Sequence, residues 1–134
     1  MTLRWYTVVV DAHDVASLGR WWAETLDYVI VFEAKDEMAI IPKWMPMDPA
    51  PDLDAFLRAG QGMVFVPVPE AKTVKNRLHI DLAPHTSQDR EAEIARLIER
   101  GATRVDIGQS PDVGWTVMAD PEGNEFCVLS SRDR

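Results

Sequence analysis

The stretch from Ala119 to Leu129, Ala-Asp-Pro-Glu-Gly-Asn-Glu-Phe-Cys-Val-Leu, constrains the fold of this chain more than any other. Asp120-Pro121-Glu122-Gly123-Asn124 is turn chemistry: proline presets φ at the second position, glycine supplies a positive φ, and asparagine tolerates the left-handed region. Trp115–Ala119 before it and Glu125–Ser130 after it are short runs of β-type residues, so the turn predicts the tip of a hairpin. Alternation along the second arm puts Glu125, Cys127 and Leu129 on one face, with Phe126 and Val128 on the other. A carboxylate and a thiol sharing a strand face are either half-exposed bystanders or part of a pocket.

Taken from the start, Trp5–Asp11 is a β-branched run with Thr7, Val9 and Asp11 on one face. Asp14 supplies an N-cap, and Val15, Leu18, Trp22 and Leu26 follow at helical spacing, with Trp21 widening the stripe. Val29–Glu33 and Met38–Ile41 predict a hairpin turned at Lys35-Asp36. From Pro42 to Gly60 the prolines exclude a central strand. A loop of this length is expected to cover a pocket with Trp44 and its neighbouring methionines, and Asp54–Arg58 is a candidate helical turn. Gly62–Val68 is the fourth strand, with Pro67 marking an edge or a bulge, and residues 69–76 form a polar connector.

The second half opens with a strand at Arg77–Leu82, carrying His79 and Asp81 on one face. Thr86 or Ser87 is expected to cap a helix whose apolar stripe is Ile94, Leu97 and Ile98 and whose stop is Gly101. A sixth strand at Thr103–Ile107 and the Trp115 hairpin complete the chain. The order β-α-β-β-β therefore occurs twice. The two openings, Thr7-Val-Val-Val-Asp-Ala-His-Asp14 and His79-Ile-Asp-Leu-Ala-Pro-His-Thr86, also align.

A closing Asp-Pro-x-Gly-Asn hairpin, with Gly114-Trp115 ahead of it and Asn124-Glu125-Phe126-Cys127 after it, resembles the glyoxalase-like proteins of the vicinal-oxygen-chelate superfamily. That superfamily includes glyoxalase I, bleomycin-resistance proteins and extradiol dioxygenases. The resemblance implies an α+β fold in one domain, residues 1–134, made of two βαβββ modules at about 4–68 and 77–131. It implies that their curved mixed sheets form a cup lined by inward-facing strand residues, and it favours a homodimer.

The resemblance also says where metal ligands would stand. His79 matches a family histidine ligand, whereas the closing-strand position, usually glutamate, is Cys127, with Glu125 one pleat earlier. The first-strand position falls on Thr7 or Val9 and the fourth-strand position near Phe65 or Val66, none of them a ligand of the usual kind. The expectation is therefore no conventional metal centre. A divalent metal, if held, would use His79, Cys127 and Glu125, with Asp81 or Asp11 as further donors.

Several readings of these residues stay open. His79 is a satisfied histidine paired with Asp81 or a carbonyl, a contact to ligand, or a general base titrating near neutral pH. Cys127 is by default a small buried hydrophobe, with His79 its only visible activating partner. His13 and His85 sit beside helix starts, outside the cup, and Asp11 and Asp120 are expected to bond turn or cap amides. Trp5, Trp21, Trp22, Trp44 and Trp115 are many for 134 residues. Core packing could absorb all of them, or some could wall a site for a planar organic ligand.

A net charge of −8 argues against nucleic-acid and anionic-membrane partners. The single cysteine fits a reducing compartment, and the opening residues lack a signal-peptide core, so a soluble cytoplasmic protein is expected. The function expected is binding of a small organic molecule in an apolar cup, through Thr7, Val9, Trp44, His79, Asp81, Trp115, Glu125 and Cys127. The alternatives are a metal-dependent or His79-based lyase, isomerase or dioxygenase, and an antibiotic-sequestering resistance protein. The missing ligands on the first and fourth strands count against glyoxalase I and ring-cleaving chemistry.

Overall fold

In the computed structural model the β-branched run near the start becomes β1 (Thr7–Ala12), and Asp14 caps α1 (Val15–Leu26) by accepting the Ser17 N–H at 3.0 Å. The structure describes residues 2–134, so Met1, the first residue of the expected domain, lies outside the described residues. Helix α1 buries Val15, Leu18, Trp21, Trp22 and Ala23, and the two indoles meet edge-on with centroids 5.1 Å apart. Both tryptophans are therefore core. Gly19 lets the helix approach the sheet, since a Cβ there would lie 2.3 Å from Met38 Sδ.

Asp27 ends the helix in the left-handed region, at φ 55°, and donates its N–H to Ala23 O and Glu24 O. The chain then runs into β2 (Tyr28–Ala34), turns at Lys35-Asp36, and returns as β3 (Glu37–Pro42). After a short helix, α2 (Leu53–Arg58), β4 (Gly62–Pro67) completes a four-stranded sheet in the order β1-β4-β3-β2. Strand β4 is parallel to β1 and antiparallel to β3, whose pairing reaches only Phe65. Pro67 thus ends an inner strand beyond its antiparallel partner, where a missing N–H costs no ladder bond on that side. Leu18, Met38, Ile40 and Phe65 are fully buried, each worth about 1.5–3 kcal/mol of transfer free energy.

The proline-rich segment packs on its own unit. Arg4 lies over the Tyr6 and Phe56 rings, 4.8 Å from each centroid, and donates to Gly60 O at 2.9 Å. Asp52, one residue before α2, caps it through the Ala55 N–H at 2.8 Å, so the helix starts before the expected Asp54.

The described residues divide into two compact units, one ending at Glu70 and one spanning Ala71–Arg134. The second repeats the pattern: β5 (Ile80–Leu82), α3 (Arg90–Glu99), β6 (Thr103–Arg104), β7 (Thr116–Ala119) and β8 (Glu125–Val128), in the sheet order β5-β8-β7-β6. The β7–β8 turn forms as expected. Gly123 N–H donates to Asp120 O at 2.9 Å with Gly123 at φ 91°, and the Asp120 carboxylate accepts the Glu122 and Asn124 amides. Each sheet has mixed strand pairing, and the fold is the expected α+β arrangement of two β-α-β-β-β runs.

Four expectations are corrected in the second unit. Strand β5 begins at Ile80 instead of Arg77, because the chain bends at residues 77–78 next to Asn76, whose N–H is held by the Glu125 carboxylate, and His79 therefore stands just before the strand. Helix α3 is capped by Asp89 rather than Thr86 or Ser87, because Ser87 Oγ and the Gln88 side chain are engaged with His85, at 2.7 Å each. Ile98 is 41% exposed, so the buried stripe of α3 is Ile94 and Leu97. Strand β6 stops at Arg104 instead of Ile107, because Asp106 accepts the Gly108 N–H and Gln109 Oε1 accepts the Ile107 N–H, each at 2.8 Å. The chain bends there through Gly108 at φ 88°. The Gly101 stop holds, with φ 108° and an Ala102 N–H to Leu97 O bond of 3.0 Å. Among the described residues, no helix is long and apolar enough to cross a membrane.

Candidate functional site

Strands β5 and β8 run parallel with Asp81 directly opposite Cys127. His79, just before β5, lines the same face as Asp81, and Leu129, just after β8, lines the same face as Cys127. That face opens into a pocket of about 440 Å³. His79, Asp81 and Cys127 form its polar end. Trp115, Ile107 and Leu129 form an apolar wall, and Gly108 and Gln109 complete the lining.

The polar end is a connected group. His79 Nε2 lies 3.1 Å from Asp81 Oδ1, and Asp81 also hydrogen-bonds the Cys127 side chain. Cys127 is 5% exposed, whereas the His79 and Asp81 side chains are both more than a third exposed. Burial pushes the Cys127 thiol up from its ordinary value, and the neighbouring Asp81 carboxylate pushes it further, so the sulfur is held as a thiol. One imidazole nitrogen, one carboxylate oxygen and one sulfur all lie within 4.8 Å of one another. By kind and number these three donors suit a divalent metal that keeps an open position, and bound there it would act as a Lewis acid.

Glu125 has a different task. It is 9% exposed, with Lys72 Nζ 2.7 Å from Oε2 and the Asn76 N–H 3.3 and 3.2 Å from its two oxygens. Burial pushes its carboxyl up, but the hydrogen bonds from Lys72 and from backbone amides, with the Lys72 charge, outweigh it and hold the carboxyl below its ordinary value. Glu125 therefore anchors the 71–76 segment to β8, and the donor group forms from His79, Asp81 and Cys127 without it.

The remaining expected residues belong to the first unit. Thr7 is half-buried on β1, with its hydroxyl turned to Val8 O at 3.4 Å, and Val9 is 58% exposed. Trp44 lies against Gly60, where a Cβ would come within 2.6 Å of the indole, and it does not line the second-unit pocket. Sequence reasoning ended the sixth strand at Ile107 and read a loop from Gln109, but missed that Ile107, Gly108 and Gln109 line the pocket. The Gly108-Gln109-Ser110-Pro111 run signals a bend but not what the bend faces.

The sequence profile described as "Glyoxalase-like domain" matches residues 7–129. The chain belongs to this glyoxalase-like family. No protein of curated function matches it by sequence. Solved structures of similar shape include a glyoxalase/bleomycin resistance protein/dioxygenase family enzyme from Burkholderia phytofirmans PsJN, 12% identical over 97% of this chain and 100% of that one, with a TM-score of 0.66. The fosfomycin resistance protein FosX from Mesorhizobium loti is 12% identical, covering 96% and 92% of the two chains, with a TM-score of 0.65. A mutant of FosX from Listeria monocytogenes, complexed with Mn(II) and 1S,2S-dihydroxypropylphosphonic acid, is 9% identical, covering 98% and 93%, with a TM-score of 0.69. At these identities the likenesses establish that this glyoxalase-like chain shares their fold.

Proposed function

We propose that this glyoxalase-like protein binds a small organic molecule in the second-unit pocket, with its apolar part against Trp115, Ile107 and Leu129 and a polar group at His79–Asp81. The observation that carries this reading is the joining of an apolar wall to a compact polar end in one pocket of about 440 Å³. That volume suits a drug-sized ligand. A ligand plane laid on the half-exposed indole of Trp115 would bury aromatic area on both partners, while the imidazole fixes its orientation.

The test is a fluorescence screen of planar organic molecules carrying a hydrogen-bonding group, run on chelator-treated protein. Trp115 should report binding, so a true hit loses most of its quench in Trp115→Phe and about tenfold or more of its affinity in His79→Ala. A hit that quenches Trp115→Phe and the parent protein equally, and binds His79→Ala unchanged, would place the ligand elsewhere and end this reading.

The 3.1 Å contact between His79 Nε2 and Asp81 Oδ1 favours a second reading, proton transfer on the bound molecule. A carboxylate at this distance fixes the orientation of the imidazole, which is what a general base needs. Solvent-deuterium exchange into a bound carbon acid, lost in His79→Gln and reduced in Asp81→Asn, is the expected signature. Equal exchange in all three proteins would remove it.

A further inference from the structure

The two exposed members of the polar end, His79 and Asp81, close over a buried sulfur. We infer that His79, Asp81 and Cys127 form a thiolate-containing site for a borderline divalent metal of the zinc and cobalt class, with its open position facing the pocket. The inference rests on the proposed pocket only for what would fill that open position; the donor group stands on the positions of its own ligand atoms.

Register holds the donors together. Asp81 and Cys127 are direct partners across the parallel β5–β8 pair, and His79, just before β5, sets its Nε2 3.1 Å from Asp81 Oδ1. Their ligand atoms are already within 4.8 Å of one another. Metal bonds of about 2.0–2.3 Å in a tetrahedral site need donor separations of roughly 3.3–3.8 Å, so modest side-chain rotation closes the group. No strand has to move.

Donor chemistry then selects the metal. A nitrogen, a carboxylate oxygen and a sulfur suit zinc and cobalt, whereas manganese and magnesium favour oxygen-rich sites. Glu125, the oxygen donor one pleat away, is held by Lys72 and Asn76, which removes the carboxylate that would shift the balance toward a harder ion. On binding, the Cys127 thiol proton leaves to solvent and the sulfur becomes a thiolate ligand. Three protein ligands leave at least one position free, and the pocket lies on that side, so an oxygen or nitrogen of the bound molecule would complete the sphere.

The test titrates chelator-stripped full-length protein with Co(II), Zn(II) and Mn(II). The expected result is a near-ultraviolet sulfur-to-cobalt charge-transfer band saturating at one cobalt per chain, bleached by one equivalent of zinc. Zinc should also raise the thermal midpoint where equal manganese does not. Cys127→Ser should lose the band and lower zinc affinity by more than about tenfold, the scale on which even outer-sphere changes act. Asp81→Asn, which leaves the buried sulfur in place, should keep the band and weaken binding by a similar factor. Manganese binding as tightly as zinc, unaffected by Cys127→Ser, would overturn the thiolate site while leaving a metal in the pocket. Binding of none of the three would overturn the site outright. The small-molecule reading survives either result, because its fluorescence screen uses stripped protein.

Discussion

At the scale of single residues, Glu125 and Lys72 show how a carboxylate on a pocket-facing strand is withdrawn from the pocket. The carboxylate is buried and would be costly to leave alone, so the ammonium at 2.7 Å and the Asn76 amide are conditions for keeping it ionised. Lys72→Met removes the charge partner while keeping the apolar stem, and it should cost about 2 kcal/mol or more in chemical denaturation. Because the folded carboxyl titrates below its ordinary value of 4.5, its stabilising contribution is present in full above that value. It is lost as pH falls through the lowered folded value. The thermal midpoint of the parent protein should therefore drop more steeply below pH 4.5 than that of Glu125→Gln. Parallel curves for the two proteins would show that the pair contributes nothing to acid stability.

At the scale of elements, what could be read from the chain was what local chemistry decides. The Asp120–Asn124 turn, the Asp14 cap and the Gly101 stop each depend on residues within five positions, and each forms as expected. The cap of α3 was misplaced although its chemistry is equally local, because several residues compete for one role. Thr86, Ser87 and Asp89 all cap helices well, and the choice was made by His85, whose ring nitrogen takes the Ser87 N–H at 3.1 Å as well as facing its hydroxyl. Asp89 then accepts the Glu91 and Ala92 amides at 3.0 and 3.2 Å. Asp89→Ala should cost about 1 kcal/mol of stability, with Thr86→Ala nearly silent. Ser87→Ala should act only through the His85 turn and cost less than Asp89→Ala. The reverse order in denaturant midpoints would return the cap to Ser87.

At the scale of the whole molecule, the candidate site was legible only where residues two apart in the chain share a face. His79 with Asp81 and Cys127 with Leu129 could be put on shared faces from the sequence, but the register that sets Asp81 against Cys127 joins segments far apart in the chain. The same distance hid the fate of Glu125, whose partner Asn76 is 49 residues away. The lining of the pocket lies wholly in the second unit. A ligand found by the fluorescence screen should therefore slow amide hydrogen exchange mainly in β5, in the bend at 105–109, and in β7 and β8. Binding at 100 times Kd stabilises the bound state by about 2.7 kcal/mol, enough to slow exchange there about a hundredfold where local opening releases the ligand. Strands β1 and β4 should gain protection only to the extent that their exchange requires global unfolding. An equal gain in β1, around Thr7 and Val9, under conditions where those amides exchange by local opening, would count against the second-unit pocket as the binding site.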